Sequence, residues 1–560
     1  MSVAFRPPGS GPAGVSRTGG APPVLDKARI AHVLRRLKGR HVRLALRWRI
    51  APVTRKGGFV FCVVTDKAGA RLARGMGWIV AWRAGRDDFL AALQEVYGRA
   101  IAQRAAFGLA RSRPRLSAMR RMDGRQTVIF TLLALAAAAL LFAAPGILRA
   151  TGMIILPVLF LSLAALRLAA LRPAPRRRPA KRLKDAQLPV YTVLVPLYRE
   201  VPVLEQLIGA LSMLDYPADK LDIKLIAEAC DKPVRAALAA MTLPEYFEVI
   251  IAPPAGPRTK PRALNYALAF ARGDLVTIYD AEDIPDPGQL RAAAARFAAE
   301  GDDLACLQAR LAWYNPNENW LTRMFAIEYA SHFDVVLPML AEMGLPLPLG
   351  GTSNHFRRAA LEQAGGWDAH NVTEDADLGM RLARLGWRTG VLASTTWEEA
   401  CRTFAAWRAQ RARWVKGWLQ TWLVHMRQPM RLVRETGMGG MFILQAMMGA
   451  GVFATLAHPF FLLAAMWGAL APAHQLSLGA AIQASVSAVV LAAGYGAAMM
   501  AGALGLYRRG MLKLWPCLLT MPLYWLLLSV AGWLAVWDFI IRPHHWRKTE
   551  HGLSAFQRGE

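Results

Sequence analysis

The sequence predicts an α/β domain inserted between transmembrane helices, with a small N-terminal α/β domain ahead of them. Three observations lead there. Apolar runs of about 20 residues, the length a helix needs to cross a bilayer, fill 127–171 and much of 438–541. Between them, over 185–430, short β-branched runs alternate with helical periods, the pattern of a mainly parallel sheet with helices on both faces. Within that stretch lie four polar clusters, in the order Cys230-Asp231, Asp280-Ala281-Glu282-Asp283, Thr373-Glu374-Asp375 and Gln410-Arg411-Ala412-Arg413-Trp414.

Composition narrows the class. The chain has 560 residues and is 54% hydrophobic, with mean hydropathy +0.24, and the excess sits in the apolar runs, which favours a membrane protein. Its 68 basic against 39 acidic residues give a net charge of +29. Much of that charge flanks the apolar runs, where it suits contact with anionic membrane lipids at the cytoplasmic face and speaks against nucleic acid as a partner. The five cysteines are scattered, with no paired spacing, so neither a disulfide framework nor a zinc site is expected.

Residues 1–21 are rich in Gly and Pro without an apolar core. They read as a disordered N-terminus and not as a secretory signal. The 22–118 stretch has a helical period at 28–37 and a strand-like run at 58–65, and reads as a small cytoplasmic domain. Its Ala91-Ala92-Leu93, Val96-Tyr97-Gly98 and Ser117-Ala118 are similar to the N-terminal domain of type II secretion ATPases, some of which bind cyclic di-GMP. That resemblance implies regulation by this nucleotide; a docking domain is the alternative, because the nucleotide-binding repeat is not visible.

The runs 127–148 and 152–171 form a hairpin around Pro145 and Arg149, followed by Arg172, Arg176, Arg177, Arg178, Lys181, Arg182 and Lys184. The positive-inside rule puts both ends, and hence 185–430, in the cytoplasm. Apolar segments resume at 441–468, 478–504 and 514–541. The loop 468–478 lacks Lys and Arg and is expected outside; Arg508, Arg509 and Lys513 are expected inside. Three crossings would leave the basic tail 542–560 outside, against the same rule, unless the first or last segment includes an interfacial or re-entrant helix.

Inside 185–430, strands are expected at 191–197, 223–227, 247–252 and 275–279, and helices at 203–212, 234–240, 261–271 and 289–297. Ligands in such sheets gather at the carboxyl ends of strands, and Asp231 and Asp280 each follow one. Hard cations such as Mg²⁺ or Mn²⁺ take one or two carboxylates plus phosphate oxygens, so Asp280 with Glu282 or Asp283 is a metal candidate; an acidic solvated loop is the bland alternative. Asp375 suits a proton acceptor, and equally the first turn of a helix capped by Asn371 or Thr373. Arg413 suits a diphosphate, while Trp407, Trp414, Trp418 and Trp422 with neighbouring arginines also describe an interfacial belt. Lys260 stands in Lys260-Pro261-Arg262 between two strands, as a phosphate contact or as surface charge.

The order of the clusters resembles family 2 glycosyltransferases of the processive, membrane-embedded kind, such as cellulose, hyaluronan and curdlan synthases. The resemblance implies a GT-A (nucleotide-diphospho-sugar transferase) domain at 185–430. It implies Asp375 as catalytic base. Asp231, Lys260, Glu374, Gln410, Arg413 and Trp414 are implied as contacts to substrate. Asp280, Glu282 and Asp283 are implied at a metal, where the family usually shows Asp-x-Asp and this chain leaves open whether Glu282 or Asp283 takes the second place. Gly350-Gly351-Thr352-Ser353-Asn354-His355 matches an acceptor-binding loop. The implied partners are a nucleotide-sugar donor, UDP-linked by the resemblance, a growing polysaccharide acceptor and a periplasmic or outer-membrane export partner; the implied location is the inner membrane. Single transfer to a lipid carrier, or a receptor with a degenerate core, are the alternatives. His544, His545 and His551 lack a nearby carboxylate or cysteine and read as an interfacial tail.

Overall fold

The computed structural model describes residues 22–172, 180–472, 474 and 476–542. The expected disordered stretch 1–21, Arg176–Arg178 in the basic run, and all of the tail but Arg542 lie outside these residues. Two compact units divide at Tyr97/Gly98.

The first unit is a four-stranded sheet in the order β1-β4-β3-β2, made from β1 (Val24–Leu25), β2 (Ile50–Lys56), β3 (Phe59–Val64) and β4 (Ile79–Ala84). Asp26 and Asp66 cap helices Lys27–Arg35 and Lys67–Gly75 by accepting from Arg29 N and Gly69 N, satisfying donors that a helix start leaves open. Ile50, Cys62, Val64, Ala70 and Ala73 form its small core. The unit closes earlier than residue 118: Ser117 and Ala118 bond to Asp368, so they pack with the second unit. The bond from a buried carboxylate overrides the proximity in sequence.

The second unit holds an eight-stranded sheet, β7-β6-β5-β8-β11-β10-β12-β9. Its strands are β5 (Tyr191–Leu197), β6 (Leu221–Glu228), β7 (Phe247–Ala252), β8 (Leu275–Ile278), β9 (Ile284–Pro285), β10 (Leu304–Trp313), β11 (Asn354–Arg357) and β12 (Arg388–Glu398). β7, β6, β5 and β8 run parallel, as expected. β11 then enters antiparallel to both β8 and β10. Beyond the helix expected at 289–297 the sequence pattern does not announce β10, β11 or β12. Apolar residues such as Tyr191, Val193, Leu225 and Leu307 build the core beneath the sheet. Lys224, fully buried, is held between Asp222 and Glu248.

Among the described residues, five helices are long and apolar enough to cross a membrane: Gly124–Ala143, Pro145–Ala169, Pro429–Leu470, Leu478–Arg508 and Leu512–Ile541. Leu132, Leu133, Leu135 and Phe142 of the first are exposed, the pattern of a lipid-facing helix. The third bends at Gly437, whose φ of 69° breaks the helical geometry. Arg509 binds Asp334 at 2.6 Å and donates to Leu311 O, which fastens the loop after the fourth to the sheet domain. The last is two-part, a 3₁₀ turn Leu512–Thr520 followed by helix Met521–Ile541. Near its start Tyr524 bonds Glu328, and near its end Asp538 pairs with Lys416 while Ile540 O accepts from Arg121.

Candidate active site

The carboxyl ends of β5, β8 and β12, the turn before helix Glu374–Arg384 and helix Phe404–His425 enclose one cavity of about 450 Å³. Asp280, Glu282, Lys260, Glu374, Asp375, Gln410, Arg413 and Trp414 all line it. Asp231 does not. It caps helix Lys232–Ala240, one carboxylate oxygen accepting from Val234 N at 3.4 Å and the other from Arg199 N at 2.6 Å, so backbone amides occupy the group that the resemblance assigned to the nucleotide.

The loop after β8 turns the two acidic residues beside Asp280 in different directions. Asp283 turns inward, accepting from Asp280 N at 2.7 Å and from the Thr352 hydroxyl, while Glu282 faces the cavity. Asp283 Oδ1 and Glu398 Oε1 are nevertheless buried without a hydrogen-bond partner. Burial, and then the neighbouring Asp280, hold the carboxyls of Glu282 and Asp283 well above the usual range. Among the described residues no group of three or more His, Cys, Asp or Glu forms a ready-made metal cage. Asp280 and Glu282 on the cavity wall, with the unpartnered Glu398 Oε1 on the same wall, are oxygen donors that fit a hard divalent cation whose remaining ligands are phosphate oxygens.

Lys260 opens helix Lys260–Leu268 and reaches Asp280 Oδ1 at 2.5 Å and Gly351 O at 2.7 Å. Burial works against its charge, but Asp280 and Glu374 outweigh that and set its pKa above the ordinary lysine value. The backbone at Gly351 passes close to both groups: a Cβ there would sit at ordinary contact distance, 3.4 Å from Asp375 Oδ2 and 3.9 Å from Lys260 Nζ. These contacts put the base candidate and the metal loop on the same short path.

Asp375 lies in the first turn of its helix, where Oδ1 accepts from Ala376 N at 2.7 Å. Neither Asn371 nor Thr373 supplies the expected side-chain cap; Asn371 Oδ1 accepts from Thr373 N instead. Burial raises the Asp375 carboxyl, and burial with Asp375 alongside pushes Glu374 up to about 8. A raised carboxyl is a stronger proton acceptor. The turn is stitched to helix Phe404–His425 by Val372 N to Gln420 and Asn371 to Thr421. Gly417 makes that approach feasible, since a Cβ there would collide with Thr373.

Along that helix alternate residues divide the work. Arg411 is buried, donates to both oxygens of Glu328 at 2.8 and 2.6 Å, and lies over the Phe325 and Trp414 rings. Arg413 faces the cavity with Nε lacking a partner, as does Gln410 Oε1. Trp414 stacks on Tyr329, ring centroids 6.4 Å apart. The helix forms the cavity wall, while Trp407, Arg411 and Lys416 of the expected interfacial belt are buried against Tyr524, Glu328 and Asp538. Sequence reasoning missed Glu398, Tyr198, Arg258 and Glu328, which also line the cavity. Glu398 ends β12, whose Val391-Leu392 and Thr395-Thr396-Trp397 stretches of strand-favouring residues were the available signal.

Residues 189–417 match the family model described as "Glycosyltransferase like family 2". That segment is a family 2 glycosyltransferase domain with a GT-A arrangement of sheet and helices. Similar proteins carry the same theme. "Probable glycosyltransferase YdaM" of Bacillus subtilis is 28% identical over 46% of this chain and 62% of its own length. "Beta-monoglucosyldiacylglycerol synthase" of Synechocystis is 29% identical over 51% and 60%. "Glucomannan 4-beta-mannosyltransferase 1" of Oryza sativa is 28% identical over 43% and 50%. The chain thus spans only about half to three-fifths of these relatives.

Proposed function

We propose that the protein is a membrane-embedded inverting glycosyltransferase that adds a sugar from a nucleotide-sugar donor, UDP-linked in the first instance, to a growing β-linked polysaccharide for export. One observation carries this reading: Asp375, Asp280, Glu282 and Arg413, more than 130 residues apart at the extremes, face a single cavity. Asp375 takes the proton of the acceptor hydroxyl as that oxygen attacks the anomeric carbon, and the bond to the diphosphate breaks. Arg413 offers its open guanidinium to the departing diphosphate. Asp280 and Glu282 would hold Mg²⁺ or Mn²⁺, which as a Lewis acid neutralises charge on the leaving group. Tyr198 and Arg258, joined by a 3.1 Å hydrogen bond at the cavity wall, are better placed than Asp231 to meet the nucleotide.

Single transfer to a lipid is the second reading. It is favoured because the cavity continues along Leu163 and Leu166 of a membrane helix, facing Leu528 of the last apolar helix. A relative named as a glucosyldiacylglycerol synthase supports it. The degenerate-core receptor is disfavoured by the near-complete constellation.

The proposed location is the inner membrane with the transferase in the cytosol. Because the last helix binds cytosolic-side groups near both of its ends, it is assigned along that face and not across the bilayer, leaving four crossings and a cytosolic C-terminus. This meets the positive-inside rule. A C-terminal green fluorescent protein fusion should fluoresce; a dark fusion on a well-inserted chain would return the count to five. The transfer reading is tested by radiolabel incorporation in membrane vesicles across nucleotide sugars with Mn²⁺, followed by linkage-specific digestion and by extraction of lipid products. No incorporation from any donor would refute it. The export partner and cyclic di-GMP regulation of the first unit stay proposals resting on the sequence resemblance.

A further inference from the structure

The membrane end of the cavity carries a cation that transfer does not use. Arg167 stands in the last turn of helix Pro145–Ala169 and lines both the main cavity and an adjoining one of about 70 Å³. Its guanidinium lies over Trp525, 5.4 Å from the ring centroid. No described residue gives it a hydrogen bond or an ion pair. Glu328, on the same cavity wall, is committed to Arg411 and to the Tyr524 hydroxyl at 2.8 Å. An ionised side chain within a membrane helix is costly unless it meets an opposite charge.

The walls beyond Arg167 say what kind of anion enters. The small cavity is lined by Phe160, Leu163, Ala454, Gly494 and Leu528. Thr455 there donates to Gly451 O, and His458 Nε2 pairs with the Tyr495 hydroxyl, leaving Nδ1 as an open polar atom. A hydroxyl-rich glycan would lose its hydrogen bonds to water in such a space. A hydrocarbon chain gains from it.

We infer that Arg167 holds the phosphate of a membrane-derived amphiphile whose chain occupies the small cavity. The chemistry is an anionic phosphate on a guanidinium fork with an apolar tail among aliphatic side chains. Two sources share it: a phosphorylated lipid serving as sugar acceptor, and an anionic phospholipid sealing the cavity. Only the acceptor role rests on the transfer reading.

The test uses full-length protein in neutral detergent, without donor or metal, read by native mass spectrometry against phosphatidylglycerol, a prenyl phosphate, diacylglycerol and inorganic phosphate. One phosphorylated amphiphile per chain is expected, with diacylglycerol and inorganic phosphate failing to displace it. Arg167→Gln should weaken retention about ten-fold or more, and Arg167→Lys should recover part of it. Leu528→Trp, which fills the small cavity with the cation intact, should also weaken it. Prenyl phosphate held above phosphatidylglycerol, and labelled once donor and Mn²⁺ are added, identifies an acceptor; the reverse order, without label, identifies a sealing phospholipid. Equal retention by wild type and a monodisperse Arg167→Gln, or displacement by inorganic phosphate alone, overturns the inference. Retention with no transfer from any nucleotide sugar sinks the transfer reading and leaves the lipid site standing.

Discussion

Lys260 Nζ stands 2.5 Å from Asp280 Oδ1 and 2.7 Å from Gly351 O, so one ammonium ties the loop after β8 to the glycine pair beside Asp375. It occupies the carboxylate that a metal would share. Lys260→Met removes a competing positive charge from Asp280 and one from beside the donor phosphates. Half-saturation by Mn²⁺ should therefore fall while turnover drops by about ten-fold or more. Wild-type values of both would reduce the lysine to a strut.

Asp375→Asn keeps the shape of the side chain and removes the proton acceptor. Sugar incorporation should fall by about 10²- to 10⁴-fold, with nucleotide protection against thermal unfolding unchanged. Asp280→Ala should abolish synthesis while membrane insertion, followed by fractionation, persists. Full activity in the Asp280 variant would remove the metal assignment.

Arg411 and Arg413 are two residues apart and should fail differently. Arg411→Ala removes a buried guanidinium that pairs with the partly exposed Glu328 and packs over the Phe325 and Trp414 rings, a loss of packing as well as charge, visible as a lower Tm. Arg413→Ala breaks no ion pair seen among the described residues, so Tm should stay near wild type while donor turnover collapses. Interchanged effects would reverse the two roles.

His425 sets an acid limit on stability. Arg384 Nη1 donates to its Nδ1 and its Nε2–H donates to Asp377, an arrangement that requires the neutral ring. Burial depresses its pKa, so the unfolded chain binds the proton more readily. Stability contributed here is present above the unfolded value of about 6.5 and declines as pH falls toward the folded value. Thermal unfolding from pH 7.5 to 5 should show falling Tm, less steeply in His425→Gln. Identical slopes would place the acid sensitivity elsewhere.

The parallel half of the sheet was legible because each of its strands carries a local run of apolar and β-branched residues; 191–197 and 247–252 match β5 and β7 in full. β11 was not, for Asn354–Arg357 is four residues of mixed polarity whose strand identity comes from pairing with β8 and β10. The membrane runs were legible through length and hydropathy, but not whether the last one crosses, since that depends on Tyr524 and Asp538 finding partners far away in the chain.

The sequence by itself determined the order of the chemical groups, the membrane segments and the strand ends that carry Asp280, because these follow from hydrophobic periodicity over a few residues. Only the tertiary structure decided that Glu282 and not Asp283 faces the cavity, that Asp231 also accepts from the distant Arg199 amide, and that Arg411 braces while Arg413 faces the cavity. Each of those depends on a contact, with Thr352, Arg199 or Glu328, formed across a distance in sequence over which no local pattern carries information.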